Sequence, residues 1–151
     1  MKNKLVTFEV AFDWLDKKME RIFDKKERVN YEGLSKEEKM IYLLYSYDSS
    51  VRNGGIKSFL DQQNGERFEE LIANFKELHA AAVAMDLEEV INVLRSVNKD
   101  APLSLRADLD EFDSLPIANK FRAVECENTK RYFEYDPNPL QLLYGYLNSR
   151  S

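Results

Sequence analysis

Residues 42–60 read YLLYSYDSSVRNGGIKSFL and hold two of the chain's five glycines side by side, at positions 54 and 55. Apolar residues on both sides of the glycines recur at three- and four-residue steps, which is the period of an α-helix. An adjacent glycine pair permits positive φ and close backbone approach, and asparagine is among the few other residues that enter the left-handed region. The stretch therefore predicts that Asn53-Gly54-Gly55 ends one helix and redirects the chain into another.

The chain is long enough for one packed domain. It has 151 residues, of which 44% are hydrophobic and 12% aromatic, with only nine glycines and prolines together. A domain of this size buries about 68–70% of the surface of its unfolded chain. No apolar stretch suits a signal peptide or a membrane span. We expect a single soluble domain over residues 1–151, with a cytoplasmic location and no membrane partner.

Helical periodicity extends over nearly the whole sequence. No segment alternates convincingly at period two over the length of a strand. The apolar stripes run from Phe8 to Phe23, Met40 to Val51, Ile56 to Leu60, Phe68 to Ala82, Leu87 to Val97, Leu105 to Phe112, Ile117 to Val124 and Leu140 to Leu147. The sequence predicts an all-α, irregular helical bundle of about seven or eight helices.

Several helix boundaries carry their own signals. Ser35 and Glu38 form a capping-box pattern, which places the start of a helix near Lys36. The glycine turn places the end of this helix at Asn53. Asp86 and Glu89 repeat the pattern and predict a helix from about 87 to 98.

Prolines mark two more boundaries. Pro116 is well placed to start a helix, because proline suits the first helical turn. Residues 136–139 read Asp-Pro-Asn-Pro and must form a turn, since proline lacks a backbone donor and disfavours helix at the preceding residue.

No constellation of residues carries recognisable chemistry. Cys126 and His79 are each the only residue of their type, which excludes an intramolecular disulfide and a histidine-based metal cluster. The acidic residues 108–113 lack the glycine and the third oxygen ligand of a calcium loop. His79 falls at the edge of an apolar helix face, which predicts a partly buried structural side chain. We expect no catalytic residue, no metal site and no cofactor.

Charge is unevenly placed along the chain. Residues 1–64 sum to +1, residues 65–113 to −7 and residues 114–151 to +1, which gives the net charge of −5. An acidic excess favours a basic protein as partner over direct binding of nucleic acid. The candidate partner-binding face comprises Glu66, Glu70, Glu77, Glu88, Glu89, Asp108, Asp110, Glu111 and Asp113. The alternative is an ordinary solvated helix face.

Residues 42–60, followed by Asn64-Gly65, resemble the signature of a bacterial family of uncharacterised all-helical domains named after a DNA-mimic protein. The resemblance covers about residues 34–148. The residues at the positions of the family motif are Asn53, Gly54, Gly55, Ile56, Phe59, Asn64 and Gly65, and at the position of Ile56 the family prefers an aromatic residue. At the position of His79 the family often has glycine.

The resemblance implies a non-enzymatic acidic interaction protein, a partial DNA mimic or inhibitor that binds a basic DNA-binding protein or a nuclease. About 30 Å of duplex DNA presents some 18 charges. Residues 65–113 hold 12 carboxylates diluted by five cations. Any imitation of DNA by this segment would be partial.

Two alternatives stay open. The first is a small-ligand-binding protein or enzyme with a pocket near Asn53, Gly54, Gly55 and the tyrosines. The second is a homodimer joined through exposed tyrosines, which suit interfaces because they combine an apolar ring with a polar hydroxyl.

Overall fold

The computed structural model of the protein describes residues 5–97 and 116–149. Within these ranges there are six α-helices and no strand, which confirms the all-α class. The helices are α1 (Phe8–Val29), α2 (Lys36–Leu60), α3 (Phe68–Glu77), α4 (Ala81–Val97), α5 (Pro116–Glu134) and α6 (Pro139–Asn148).

The predicted count of seven or eight helices is wrong for the described residues. The short helix expected at 56–60 is the last part of α2, whose two helical segments are joined across a bend at Gly54 and Gly55, where the backbone leaves the helical region. The helix expected around Leu105 to Phe112 lies outside the described residues.

Local capping signals set the boundaries that were predicted well. The Ser35 hydroxyl accepts a hydrogen bond from the Glu38 backbone N–H at 3.1 Å, and the Glu38 carboxylate accepts one from the Ser35 N–H at 2.9 Å. α5 begins at Pro116, as predicted. The Asp-Pro-Asn-Pro turn is present, and Asn138 caps α6.

The junction between α3 and α4 differs from the prediction. α4 begins at Ala81 rather than 87, so Asp86 lies inside the helix instead of capping it. His79 has a φ of 61° and is exposed, so the predicted partly buried histidine is wrong. The Ala80 N–H bonds to the Phe75 carbonyl at 2.8 Å, and the His79 N–H bonds to the Lys76 carbonyl at 3.0 Å. This is the left-handed helix end at which glycine is usually favoured.

The core centres on the ring of Tyr47 in α2. This ring makes edge contacts with Phe59, Phe75 and Tyr132, at centroid distances of 5.1, 5.4 and 5.5 Å. All four side chains are at least 98% buried. The ring of Tyr47 thus joins the parts of α2 before and after the glycines to α3 and α5.

Helix packing leaves one face of α1 exposed. α1 packs against α2 and α6, while α4 lies between α3 and α5.

No helix among the described residues combines the length and apolarity that a membrane crossing requires.

Candidate functional sites at the glycine turn and the acidic surfaces

The glycine turn divides α2 into two helical segments. Gly54 (φ −159°, ψ 17°) and Gly55 (φ 82°, ψ −179°) both leave the helical region. The N–H groups after the bend therefore lose their helical acceptors. Two side chains of α5 replace them: Thr129 Oγ1 accepts from the Ile56 N–H at 3.1 Å, and Glu125 Oε1 accepts from the Lys57 N–H at 3.0 Å.

Gly55 is the glycine that the geometry requires. Its φ lies in the left-handed region, and a Cβ there would stand 2.5 Å from Glu125 Oε1 and 3.2 Å from Thr129 Oγ1. The absence of a side chain lets α5 approach the backbone closely enough to cap the second segment.

The other motif residues support this turn. Ile56 and Phe59 are fully buried. The Tyr42 hydroxyl pairs with the Asn64 amide, 3.1 Å from Nδ2. At Gly65 a Cβ would meet the backbone of Leu60 at 2.9 Å. Asn53 is exposed at the edge of the turn.

Sequence reasoning missed a buried carboxylate next to the turn. Asp48 is 0% exposed. It accepts hydrogen bonds from the Tyr132 hydroxyl and from Arg52 Nε, the latter at 2.9 Å. The Arg52 guanidinium lies 4.2 Å from the centroid of the Phe8 ring. The only signals in the sequence were an aspartate in an apolar helix and an arginine four residues later.

Asp86 forms a second cluster of the same kind between α4 and α5. Its carboxylate accepts from Arg131 Nη1 at 2.6 Å and from the Tyr135 hydroxyl. Asn128 Nδ2 donates to the Asp86 carbonyl and to Glu89 Oε1, both at 2.9 Å. Asp86 and Glu89, predicted to cap a helix, instead fasten α4 to α5.

Five of the nine residues of the candidate acidic face lie in the part of the chain that the structure describes. Glu70 accepts from the Tyr31 hydroxyl at 2.6 Å, and Glu77 pairs with Lys36 at 3.0 Å. Glu88 pairs with Lys76 at 3.3 Å. Glu89 accepts from Asn128, and Glu66 is exposed. The remaining four, Asp108, Asp110, Glu111 and Asp113, lie outside the described residues.

A second set of carboxylates, which we call the α1 row, follows one face of α1. Its six members occur at steps of three or four residues, so they fall within an arc of about 80° and extend over about 27 Å. All six residues are exposed. The row comprises Glu9, Asp13, Asp16, Glu20, Asp24 and Glu27.

The carboxylates of the α1 row are largely unpaired. Asp16 accepts a hydrogen bond from the Tyr45 hydroxyl. For the other five, no ion pair forms with any cation in residues 5–97 or 116–149.

Three of the six cations of α1 are directed elsewhere. Lys25 pairs with Glu38 at 2.7 Å, while Lys18 and Lys26 lie over the rings of Trp14 and Tyr42. The row was hidden in the sequence because the six cations of α1 cancel its six carboxylates when charges are counted by segment.

Metal-ligating side chains do not converge in the described parts of the chain, where no group of three or more His, Cys, Asp or Glu residues could hold a metal ion. His79 and Cys126 are both exposed on the surface. The candidate sites therefore consist of an internal joint and two acidic surfaces.

Comparison with known proteins identifies a family. The model of a family described as DMP19-like protein, named for DNA mimic protein 19, matches residues 32–150. This range includes the glycine turn and the candidate acidic face, and it starts after α1. No curated protein and no solved structure matches the chain.

The close approach at Gly55 can be tested by adding a single methyl group. We expect Gly55→Ala to lower the free energy of unfolding by about 1–3 kcal/mol, because alanine is strained at this φ and its Cβ meets Glu125. Urea denaturation followed by circular dichroism measures the change. Gly54→Ala is the matched control and should cost less, since its φ is not in the left-handed region and its Cβ would come no closer than 3.1 Å to the side chain of Ser58. Equal losses in the two variants would contradict the assignment.

The buried tyrosines predict a loss of stability at high pH. Burial raises the pKa values of Tyr47 and Tyr132 well above the ordinary value of 10.0. Both groups therefore stay protonated in the folded chain while the unfolded chain loses protons above pH 10. The free energy of unfolding should then fall by about 1.4 kcal/mol per pH unit for each tyrosine. Urea titrations between pH 9 and 11.5 measure the slope. Tyr132→Phe should reduce it, and a flat profile in the unmodified protein would contradict the prediction.

Proposed function

Because the chain belongs to the family of DMP19-like proteins, we propose that it is a non-enzymatic acidic protein that binds a basic DNA-binding protein or nuclease in place of duplex DNA. The family match supports the class of function. Charge and geometry indicate the surface that makes the contact.

The observation that carries the proposal is the α1 row. Unpaired, exposed carboxylates can meet the cations of a partner without first breaking an internal ion pair. By contrast, Glu77 and Glu88 of the candidate acidic face already hold Lys36 and Lys76. The α1 row is therefore the favoured primary contact, and the candidate acidic face from Glu66 to Asp113 is the second surface in the proposal.

The spacing of the α1 row suits a partial imitation of one DNA strand. One turn of α-helix advances 5.4 Å, and the row presents about one carboxylate per turn. A DNA strand advances 3.4 Å along the axis for each phosphate. The row thus offers a little over half the linear charge density of a strand, along a straight line of similar form.

Net charge supports long-range attraction to a basic partner. The chain carries −5, and the described residues 65–97 hold seven acidic against three basic side chains, a net −4. Such a field raises association rates with a cationic surface and is weakened by salt.

Self-association through tyrosines has less support than partner binding. All eight tyrosines lie in the described residues, and each is buried or half-buried. The hydroxyls of Tyr31, Tyr132 and Tyr135 donate to carboxylates of the same chain. These tyrosines belong to the core and its edges, as side chains with an apolar ring and a satisfied hydroxyl.

Displacement of DNA tests the proposal directly. A panel of purified basic DNA-binding proteins and nucleases is loaded with a fluorescent duplex, and this protein is titrated into each complex. We expect displacement from at least one member, with an affinity that falls as salt rises from 50 to about 200 mM. If the protein displaces DNA from no member of the panel at low salt, the proposed function is contradicted.

Two variants of equal charge locate the contact. The first carries Asp13→Asn, Glu20→Gln and Asp24→Asn in the α1 row. The second carries Glu66→Gln, Glu77→Gln and Glu88→Gln in the candidate acidic face. Each change removes three negative charges, so long-range attraction falls equally. The first should bind about tenfold more weakly than the second, since exposed charge pairs contribute about 0.2–1 kcal/mol each. The reverse order would assign the contact to the candidate acidic face.

A further inference from the structure

A groove of about 350 Å³ lies beside the glycine turn, on the outer side of α2. Its floor is formed by α2, and its walls include Phe23 of α1 and the segment that contains Gln62 and Asn64. All ten of its lining residues belong to the described part of the chain, and its volume is at the lower end of the range for small-molecule sites.

The lining of this groove is unlike the rest of the surface. In a chain of which 32% is charged, ten residues taken at random would include about three charged ones, but the groove has none. Its polar groups are hydroxyls and amides, and its apolar surface comes from three aromatic rings, those of Phe23, Tyr42 and Tyr45.

Helical spacing brings the small polar residues of α2 together. Ser46, Ser49, Ser50 and Asn53 follow the steps i, i+3, i+4 and i+7, which place them on one face. Serine and asparagine are poor helix formers, because their side chains compete for backbone hydrogen bonds. Asn53 suits the helix end before the glycine bend, but three serines on the same face of the first segment are not explained by helix stability.

Internal hydrogen bonds hold the walls of the groove. The Ser50 hydroxyl accepts from Gln62 Nε2 at 2.9 Å, and the Tyr42 hydroxyl pairs with Asn64. Burial raises the pKa of Tyr45 to about 12, so its hydroxyl stays protonated and donates to Asp16. These contacts give a preorganised groove, which lowers the entropy lost when a ligand binds.

Three polar side chains in the groove have no such partner. Ser46, Asn53 and Ser58 line it and make no hydrogen bond to any group in residues 5–97 or 116–149. Ser46 and Ser58 are half-buried. Their hydroxyls, together with the Asn53 amide, offer donors and acceptors at three points around the groove.

We propose that the groove binds an uncharged sugar of one or two rings. Hydroxyls and amides both donate and accept, which matches the hydroxyls of a sugar, and the exposed ring of Phe23 can cover its apolar face. A phosphate or carboxylate ligand would require a cation in the groove, and an amine would require an anion. This proposal concerns a separate site and does not rest on binding of a basic protein.

Calorimetric titration of the full chain tests the groove. The probes are a panel of neutral mono- and disaccharides, with sugar phosphates, free nucleosides and inorganic phosphate as the other arms. We expect a neutral sugar to bind and the charged probes to bind at least tenfold more weakly. Binding of none of the neutral sugars, or preferential binding of a charged probe or a nucleoside, would overturn the proposal.

Matched variants place the sugar in the groove. The double variant Ser46→Ala with Asn53→Ala should bind about tenfold more weakly, since it removes two hydrogen-bonding groups. Asn92→Ala, which changes an exposed residue of α4 outside the groove, should bind like the unmodified protein. Thermal unfolding checks that both variants are folded. Unchanged affinity in a folded double variant would overturn the assignment.

Discussion

The left-handed backbone at Gly55 is the constraint on which the other contacts of this fold depend. It interrupts α2 without separating its two parts. The two N–H groups that lose their helical acceptors donate hydrogen bonds to Thr129 and Glu125 of α5 instead. The same bend directs Phe59 back against the ring of Tyr47. A short apolar segment that could not persist as an isolated helix is thereby held between the core and α5.

Paired carboxylates extend this joint through the molecule. Asp48 joins α2 to α5 through the hydroxyl of Tyr132, and Asp86 joins α4 to the same helix through Tyr135 and Arg131. Acidic side chains thus have two roles in this chain. Those inside the bundle accept hydrogen bonds from tyrosine and arginine and hold the helices together. Those of the α1 row stand on the solvent side, where they are available to a partner.

Local signals in the sequence predicted the all-α class and the boundaries that neighbouring residues determine. Ser35 with Glu38 and the proline at 116 marked their helix starts because each boundary depends on groups within one turn. The start of α4 was missed because it depends on the positive φ of His79, a conformation that is uncommon for any residue other than glycine. The role of Asp86 was missed because its partners lie 45 and 49 residues away. Segment charge sums concealed the α1 row, although its spacing was visible in the sequence.

Carboxylate labelling measures the proposed contact most directly. A carbodiimide and glycine ethyl ester modify accessible carboxylates. Mass spectrometry locates each modified residue in the free protein and in its complex with a DNA-binding protein from which it displaces DNA. The α1 row predicts that Asp13, Glu20 and Asp24 become protected in the complex, and more strongly than Glu66 and Glu88. Labelling of the row to the same extent in both states would contradict a partner-binding role for α1.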